Sequence, residues 1–249
     1  VDGVHLDRIR TNGICFNDEP LDYPGAEYDY PGCQQDYQTW TQANYGQAYT
    51  LWDDTNGHSK IEDEDSGRVA AWQEQGMALM VKSIHDELKA IKPDLIISVA
   101  SMRNDPSPEV KRLDPSGQVA WEWLDQGWID VAFVATYVDN TQGVINKIER
   151  FRAAVEDESL HSRVFPGLLT YDLDDKEKRV DLLVEQVNAT VYGEWTGPQL
   201  ELPVKGVALF RDKVFSQEAV KALAEKAFTE PALPYWGEDR LISETIQSP

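Results

Sequence analysis

From residue 77 onward, the chain alternates between short apolar runs and longer amphipathic stretches. The short runs are rich in Val, Ile, Leu and Phe, which is typical of strands that are covered on both faces of a sheet. The longer stretches repeat their apolar residues at intervals of three and four, as helices with one buried face do. Regular alternation of this kind predicts a parallel α/β architecture.

The pattern predicts five strand–helix units. The length of 249 residues allows either one α/β barrel or two smaller domains. The strands are expected at residues 1–9, 94–100, 129–137, 163–171 and 206–210. The helices are expected at residues 72–91, 121–127, 141–156, 175–192 and 217–228.

A long stretch at residues 11–68 interrupts this regularity. It holds many Asp, Tyr, Gly and Asn residues without a sustained period, and it is far longer than an ordinary βα connection. Residues 45–52 are compatible with a short helix, and the acidic residues 53–67 are expected to form a solvated, mobile loop. They do not fit a calcium-binding loop, because Trp52 stands where that loop would need an Asp ahead of Gly57.

The charge of the chain excludes some partners. Forty-four acidic and 23 basic residues give a formal net charge of -21, which argues against nucleic acid or an anionic membrane surface and otherwise favours solubility. No run of about 18 apolar residues occurs, so no membrane span is expected. The sequence begins in a strand-like run without Met or a signal peptide, so the natural N-terminus is expected to lie outside it.

The two cysteines, Cys15 and Cys33, both lie in the long stretch. A disulfide between them is expected, because it would close a loop that is short of core contacts, and two unrelated thiols are the alternative. No Cys or His cluster accompanies them, and the chain has no Gly-rich phosphate loop and no Ser-His-Asp arrangement. We therefore expect neither a metal nor a cofactor.

In a barrel, reactive groups belong at the carboxyl ends of the strands, where the βα loops gather. The candidates at the predicted strand ends are His5, Asp7, Arg8, Arg10, Ser98, Ser101, Met102, Arg103, Asn104, Thr136, Tyr137, Asp139, Tyr171, Asp172, Arg211 and Asp212.

The first strand carries the strongest signal. His5 and Asp7 occupy alternate positions, so both are expected to point to the same face. Burying an unpaired carboxylate is costly, so Asp7 is expected to serve chemistry or to form a structural ion pair. The candidate partners for such a pair are Arg8, Arg10 and Arg211.

Four segments, taken in order, resemble a known family. They are residues 1–10 (VDGVHLDRIR), 123–137 (WLDQGWIDVAFVATY), 167–171 (GLLTY) and 206–210 (GVALF). Together they resemble the bacterial glycosyl-hydrolase-like family ten, which includes peptidoglycan-associated hydrolases of denuded glycan strands. The first segment is the most specific, because its Asp, Gly, His, Asp and Arg all stand in register with the family.

The resemblance implies a (β/α)8 barrel of which this chain supplies strands four to eight. Residues 1–230 would be the C-terminal part of one catalytic barrel domain, with the long loop at residues 11–68, and residues 231–249 a C-terminal tail. The first three strands are expected in an N-terminal half that the parent chain supplies.

The sequence also departs from the family. Thr11-Asn12 stands where the family often has Tyr-Pro, and Ala135-Thr136 stands where it often has Pro-Gln, so substrate contacts are expected to differ there. Arg8 replaces a second carboxylate that some members carry directly after the strand-four Asp. A paired-acid role at that position is therefore in doubt.

Glycoside hydrolysis normally uses two carboxyl groups that flank the scissile bond. The resemblance makes Asp7 the candidate nucleophile or transition-state stabiliser. Asp172 is the candidate general acid, although it also fits a helix cap. The alternatives for the acid are Asp139, Asp212 or a residue of the N-terminal half.

The remaining candidates are expected to bind substrate, and each has a structural alternative. Arg8 and Arg10 would hold Asp7 ionised, and Arg211 would contact substrate as well. His5 either hydrogen-bonds a substrate hydroxyl or is a satisfied histidine inside the barrel. The aromatic candidates, which either bind sugars or pack, are Tyr137, Tyr171 and Phe210 at strand ends and Trp40, Tyr45, Tyr49 and Trp52 in the long loop.

The expected function is hydrolysis of glycosidic bonds in a polysaccharide or a peptidoglycan glycan strand. The expected location is extracytoplasmic, in the periplasm, at the cell surface or secreted. One alternative is a carbohydrate-binding barrel without catalysis, in which no second carboxyl group lies within reach of Asp7. The other is a structural or assembly protein whose barrel mouth is filled by side chains.

Overall fold

The structure is a computed structural model of the 249-residue chain. It describes residues 1–7, 9, 31–50, 63–102, 117–170, 176–210 and 217–229, with the backbone alone at residues 31–34, 63–66 and 176–178. The chain divides into two compact units, Val1–Asp130 and Val131–Pro249.

The first unit contains two paired strands and three helices among its described residues. The strands β1 and β2 are parallel, with His5 opposite Ser98. Helix α2 ends at Ile91, because the residue before Pro93 disfavours the helical conformation. The elements are β1 (Gly3–Leu6), α1 (Pro31–Tyr45), α2 (Asp63–Ile91), β2 (Ile96–Ser101) and α3 (Ala120–Asp125).

Helix α2 packs through a stripe of residues that follow one another at intervals of four. Val69, Gln73, Met77 and Val81 are all buried. Gly117 lies against this stripe with a φ of +68°, and a Cβ atom there would lie 2.8 Å from the carbonyl oxygen of Gln73. Glycine suits this position for both reasons, since it adopts positive φ readily and leaves room for the helix backbone.

The second unit has β4 as its central described strand, paired in parallel with β3 on one side and β5 on the other. Asn140 caps the following helix by accepting a hydrogen bond from the backbone N–H of Gly143 at 2.7 Å. The elements are β3 (Val131–Ala135), α4 (Thr141–Arg152), a 3-10 helix (Glu158–Arg163), β4 (Val164–Leu169), α5 (Lys176–Val187), a π turn (Asn188–Tyr192), β5 (Ala208–Phe210) and α6 (Gln217–Lys226).

The core of the second unit forms around β4. Residues Val164 to Leu168 of this strand are all buried, as expected for a strand that helices cover. The apolar cluster joins Leu168 to residues of α4, α5, α6 and the residue after α6, namely Val144, Leu183, Val184, Val187, Leu223 and Ala227.

The five strands form one sheet in the order β1-β2-β3-β4-β5. The pairs β1–β2, β3–β4 and β4–β5 are parallel. Strands in chain order with helical connections are the arrangement found in (β/α)8 barrels. The α/β class is therefore confirmed, and the sheet is compatible with part of such a barrel. The assignment to strands four to eight stays a prediction.

The predictions for residues 11–68 were partly wrong. Helix α1 occupies Pro31–Tyr45, where no sustained helix is predicted. Helix α2 begins at Asp63, so the acidic residues 63–67 are helical rather than part of a solvated loop. The short helix at residues 45–52 is also wrong, because residues 46–50 are not helical and residues 51 and 52 lie outside the described part.

The predicted disulfide is not tested. Cys15 lies outside the described residues, and only the backbone of Cys33 is described, at the start of α1. The predicted tail at residues 231–249 also lies outside them. Among the helices that are described, none combines the length and the apolar character that crossing a bilayer requires.

Candidate functional site

His5 and Ser98 contact each other across the paired strands β1 and β2. The Nδ1 atom of His5 lies 2.9 Å from the Oγ atom of Ser98, a hydrogen bond whose donor is set by the imidazole tautomer. The two residues are register partners, so the backbone pairing itself brings the side chains together. The contact orients the His5 ring through its Nδ1 atom.

Asp7 is coupled electrostatically to this pair. Exposure alternates along the segment, with Val4 and Leu6 half-buried and His5 and Asp7 exposed. Partial desolvation lowers the pKa of His5, and the negative charge of Asp7 acts against this by raising it. The charge of Asp7 therefore bears on the protonation of a residue held by Ser98.

The exposure of Asp7 corrects one argument for its function. The side chain is exposed to solvent, so the cost of burying an unpaired carboxylate does not apply to it. Its candidacy depends on its position after β1 and on the family resemblance. Arg8, Arg10 and Arg211 lie outside the described residues, so the predicted ion pairs are not tested.

Gln118 joins the carboxyl end of β2 to the segment that follows Asp7. Its side chain is fully buried. The Nε2 atom donates to the carbonyl oxygens of Ile9 and Ala100, both at 3.1 Å, and the Oε1 atom accepts from the backbone N–H of Met102 at 2.8 Å. The backbone on either side of Asp7 is thereby tied to β2, through strand pairing before it and through Gln118 after it.

Sequence reasoning missed Gln118. It stands immediately before the apolar run of α3, in a place where a glutamine would ordinarily face solvent. The available signal is weak, since one polar residue at the start of a buried run does not reveal which backbone groups it satisfies.

An aromatic pair lies at the carboxyl ends of strands in the second unit. The rings of Tyr137 and Phe210 are stacked, with centroids 5.1 Å apart and planes inclined by 20°. Gly167 of β4 lies beside this pair, and a Cβ atom there would be in ordinary van der Waals contact with Cε1 of Tyr137, at 3.8 Å. Thr136, which is buried, donates through Oγ1 to the carbonyl oxygen of Gly167 at 3.0 Å and so fixes the residue before Tyr137.

The structure describes only one of the three candidate acids in this chain. Asp139 is exposed between β3 and α4, where its carboxylate accepts a hydrogen bond from Nδ2 of Asn140 at 3.2 Å. The other candidates at these strand ends, which lie outside the described residues, are Tyr171, Asp172, Arg211 and Asp212.

The site in the first unit offers carboxylate, imidazole and hydroxyl groups. These groups are suited to proton transfer, to charge stabilisation and to hydrogen bonding of a polyol. In the part of the chain that the structure describes, three or more His, Cys, Asp or Glu side chains nowhere come together as a metal ion would require.

No family model, no curated protein and no solved structure matches this chain. The family resemblance therefore depends on the four sequence segments alone.

Proposed function

We propose that the protein is a glycoside hydrolase that cleaves a polysaccharide or a peptidoglycan glycan strand. The observation that carries the proposal is the grouping of His5, Ser98 and Asp7 on two adjacent parallel strands, with Asp7 directly after the carboxyl end of β1. Catalytic groups of (β/α)8 enzymes come from this end of the strands. The resemblance supplies the class of substrate and an extracytoplasmic location.

In the proposed reaction, Asp7 attacks the sugar or stabilises the positive charge that develops on it in the transition state. Its exposure suits this role, because the substrate must reach the carboxylate. His5 is held by Ser98 and is proposed to hydrogen-bond a sugar hydroxyl. The proposed general acid is Asp172, with Asp139 and Asp212 as the alternatives.

The further proposed substrate contacts are Arg8, Arg10, Tyr137, Tyr171 and Arg211. Of these residues, Tyr137 is the one that the structure describes. Its stacked arrangement with Phe210 also favours a second candidate function, which is carbohydrate binding without catalysis. Flat aromatic surfaces attract the C–H face of a sugar, and such binding needs no second carboxyl group.

The test compares the natural full-length protein with Asp7→Asn and Asp2→Asn. Asp2 is the matched control, because it is an exposed aspartate that precedes the same strand. Each protein is incubated with denuded peptidoglycan glycan strands and with a panel of other polysaccharides, and the products are read by mass spectrometry. We expect Asp7→Asn to lower cleavage by orders of magnitude, because it removes charge with little change of shape, and Asp2→Asn to leave it unchanged.

Each other outcome has a definite meaning. Full cleavage by Asp7→Asn would overturn the role of Asp7. Binding of glycan without products from any of the three proteins would favour the binding function. If the proteins show no binding and no cleavage of any glycan, both candidate functions are rejected.

A further inference from the structure

Helix α1 differs from the rest of the chain in its charge. The whole chain has a net charge of -21 and 27% charged residues, yet the 15 residues of α1 include a single charged side chain, Asp36. From residue 35 onward, its exposed side chains are mostly amides and hydroxyls. They are Gln35, Asp36, Thr39, Gln42, Ala43, Asn44 and Tyr45.

A row of aromatic rings runs along the end of this helix. The centroids of Trp40 and Tyr45 are 5.6 Å apart, and those of Tyr45 and Tyr49 are 6.4 Å apart. Tyr45 is 50% exposed, whereas Trp40 and Tyr49 are half-buried. The buried ring of Tyr37 stacks on Trp40, with centroids 6.3 Å apart. Neighbouring rings of the row meet edge to face, with planes inclined by 64° and 89°, and Tyr45 is the exposed ring among the three.

The rings on either side of Tyr45 are held in place by polar contacts. The indole Nε1 of Trp40 donates to the side-chain oxygen of Gln75 in α2. The backbone N–H of Tyr49 donates to Oγ1 of Thr41 at 2.9 Å, and Thr41 is fully buried. The guanidinium of Arg68 lies 3.9 Å from the centroid of the Tyr49 ring. Such rings lose little conformational freedom when a ligand stacks on them.

We propose that this face of α1, which we call the α1 aromatic face and define by Trp40, Tyr45 and Tyr49, binds an uncharged polysaccharide chain. Aromatic faces carry negative partial charge, and the C–H groups of a sugar ring carry positive partial charge, so the two stack. The neighbouring Gln42 and Asn44 provide amide groups for hydroxyls. The near absence of charge on α1, which contains no Lys or Arg that could bind a polyanion, complements a ligand that has no charge.

The composition of the α1 aromatic face distinguishes this ligand from a protein partner. The central part of a protein interface is usually poor in charge and contains several large side chains, aromatic ones among them, that become fully buried. From residue 35 to Tyr45, α1 exposes one large side chain of this kind, Tyr45, and no Leu, Ile, Val, Met or Phe. The α1 aromatic face is thus polar and aromatic rather than aliphatic, which suits a polyol better than a second protein surface.

The inference goes beyond the proposed hydrolysis, because it concerns binding at residues that take no part in cleavage. We therefore test it in the full-length protein carrying Asp7→Asn, so that the polymer is not degraded during the measurement. Absence of cleavage by the wild type would reject the proposed function and leave the binding result interpretable.

The experiment measures retention on insoluble cellulose, chitin and starch, with polygalacturonate as a polyanionic counterpart. Tyr45→Ala removes the accessible ring, Tyr45→Phe keeps it, and Tyr192→Ala is the matched control, since Tyr192 is 48% exposed in the second unit. Circular dichroism of each variant checks that the fold is retained. We expect binding to at least one uncharged polymer and none to polygalacturonate, an affinity about tenfold weaker in Tyr45→Ala, and affinities of Tyr45→Phe and Tyr192→Ala within about twofold of the parent.

Three results would overturn the inference. The first is no retention of the parent on any of the uncharged polymers. The second is an equal affinity of Tyr45→Ala and the parent, or an equal loss in Tyr192→Ala. The third is a dimer in sedimentation analysis that Tyr45→Ala converts to monomer, which would make the α1 aromatic face a contact between two copies of the chain.

Discussion

The Nζ atom of Lys89 lies 3.0 Å from the Oδ2 atom of Asp130. The same oxygen accepts the backbone N–H of Ile97 in β2 at 2.8 Å, and the Lys89 ammonium also donates to the carbonyl oxygen of Leu95 at 2.7 Å. The side chains of Lys89 and Asp130 are only 22% and 24% exposed, so water screens the pair less than it would screen a surface pair. This network anchors helix α2 to the beginning of β2.

The first prediction concerns this anchor. Asp130→Ala is expected to lower the free energy of unfolding by about 2 to 3 kcal/mol, because it removes the acceptor of the Ile97 N–H and the negative charge beside Lys89, whose ammonium keeps only the Leu95 carbonyl oxygen of this network. Asp130→Asn should cost less, since an amide oxygen can still accept from Ile97. Urea unfolding measures both, with the exposed Glu87→Ala of α2 as the control. Equal losses for Asp130→Ala and Glu87→Ala would show that the network contributes nothing.

The second prediction concerns Gln118. Gln118→Leu is expected to lower the free energy of unfolding by about 2 kcal/mol or more, because it leaves two carbonyl groups and one N–H of the buried network without partners. Gln118→Glu should also destabilise, because it places a carboxylate against the carbonyl oxygens of Ile9 and Ala100. Gln126→Leu, at an exposed glutamine, is the control for chemical denaturation. A Gln118→Leu protein as stable as the Gln126→Leu protein would contradict the structural role.

The third prediction concerns the protonation of His5. Desolvation already lowers the pKa of His5, and the Asp7 charge partly restores it, so Asp7→Asn is expected to lower this pKa further. NMR titration of the imidazole Cε1 proton measures the effect, with His5→Gln to assign the signal and Asp2→Asn as the control. An unchanged or raised pKa in Asp7→Asn would show that the two side chains are not coupled.

The sign of the linked effect on stability follows from the same shift. The folded protein disfavours the charged imidazole of His5, so its pKa is lower in the folded state than in the unfolded state. The contribution of His5 to the free energy of unfolding is therefore fully present at a pH above the unfolded pKa of about 6.5, and it is lost as the pH falls through the lower pKa of the folded state. In His5→Gln this loss on acidification should be smaller, which thermal melts at a series of pH values would detect.

The fourth prediction compares two glycines with nearly the same backbone conformation. Gly117 has a φ of +68° and Gly127 a φ of +67°, but a Cβ atom would meet the Gln73 backbone at Gly117 and nothing within 4 Å at Gly127. Gly127→Ala is expected to cost about 1 kcal/mol from the left-handed conformation alone. Gly117→Ala should cost clearly more, because the close contact is with helix backbone. Equal losses in unfolding experiments would show that α2 moves away without penalty.

Sequence patterns located the strands well, because their apolar runs are continuous. The strand predicted at residues 163–171 corresponds to β4 at Val164–Leu169, and the strand predicted at residues 94–100 corresponds to β2 at Ile96–Ser101. Each run is bounded by polar or turn residues, which limits how far a strand can extend. The ends differ by a few residues, since local sequence does not fix where pairing stops.

The sequence pattern did not predict helix α1, and the reason is physical. It buries Tyr37 and Thr41, and its other described positions are polar or partly exposed, so the apolar periodicity that marks a helix is weak. The residues that position the candidate site are even less visible in sequence. Ser98 was a candidate at a strand end, but its contact with His5 depends on strand register, and Gln118 depends on the path of three backbone segments.

The hydrogen bonds of Gln118 also bear on the order in which the protein assembles. Its amide reaches Ile9, which is 109 residues away along the chain, and Ala100, which is 18 residues away. Contacts between such distant residues close large loops and form slowly, whereas the turns of α2 and α3 need only local contacts. We expect Gln118→Leu to speed unfolding more than it slows folding in stopped-flow experiments, as a late-forming contact does. The chain would then acquire its helices first, and the backbone on either side of Asp7 would be fixed last, so a newly made molecule would have most of its secondary structure before this segment is in place.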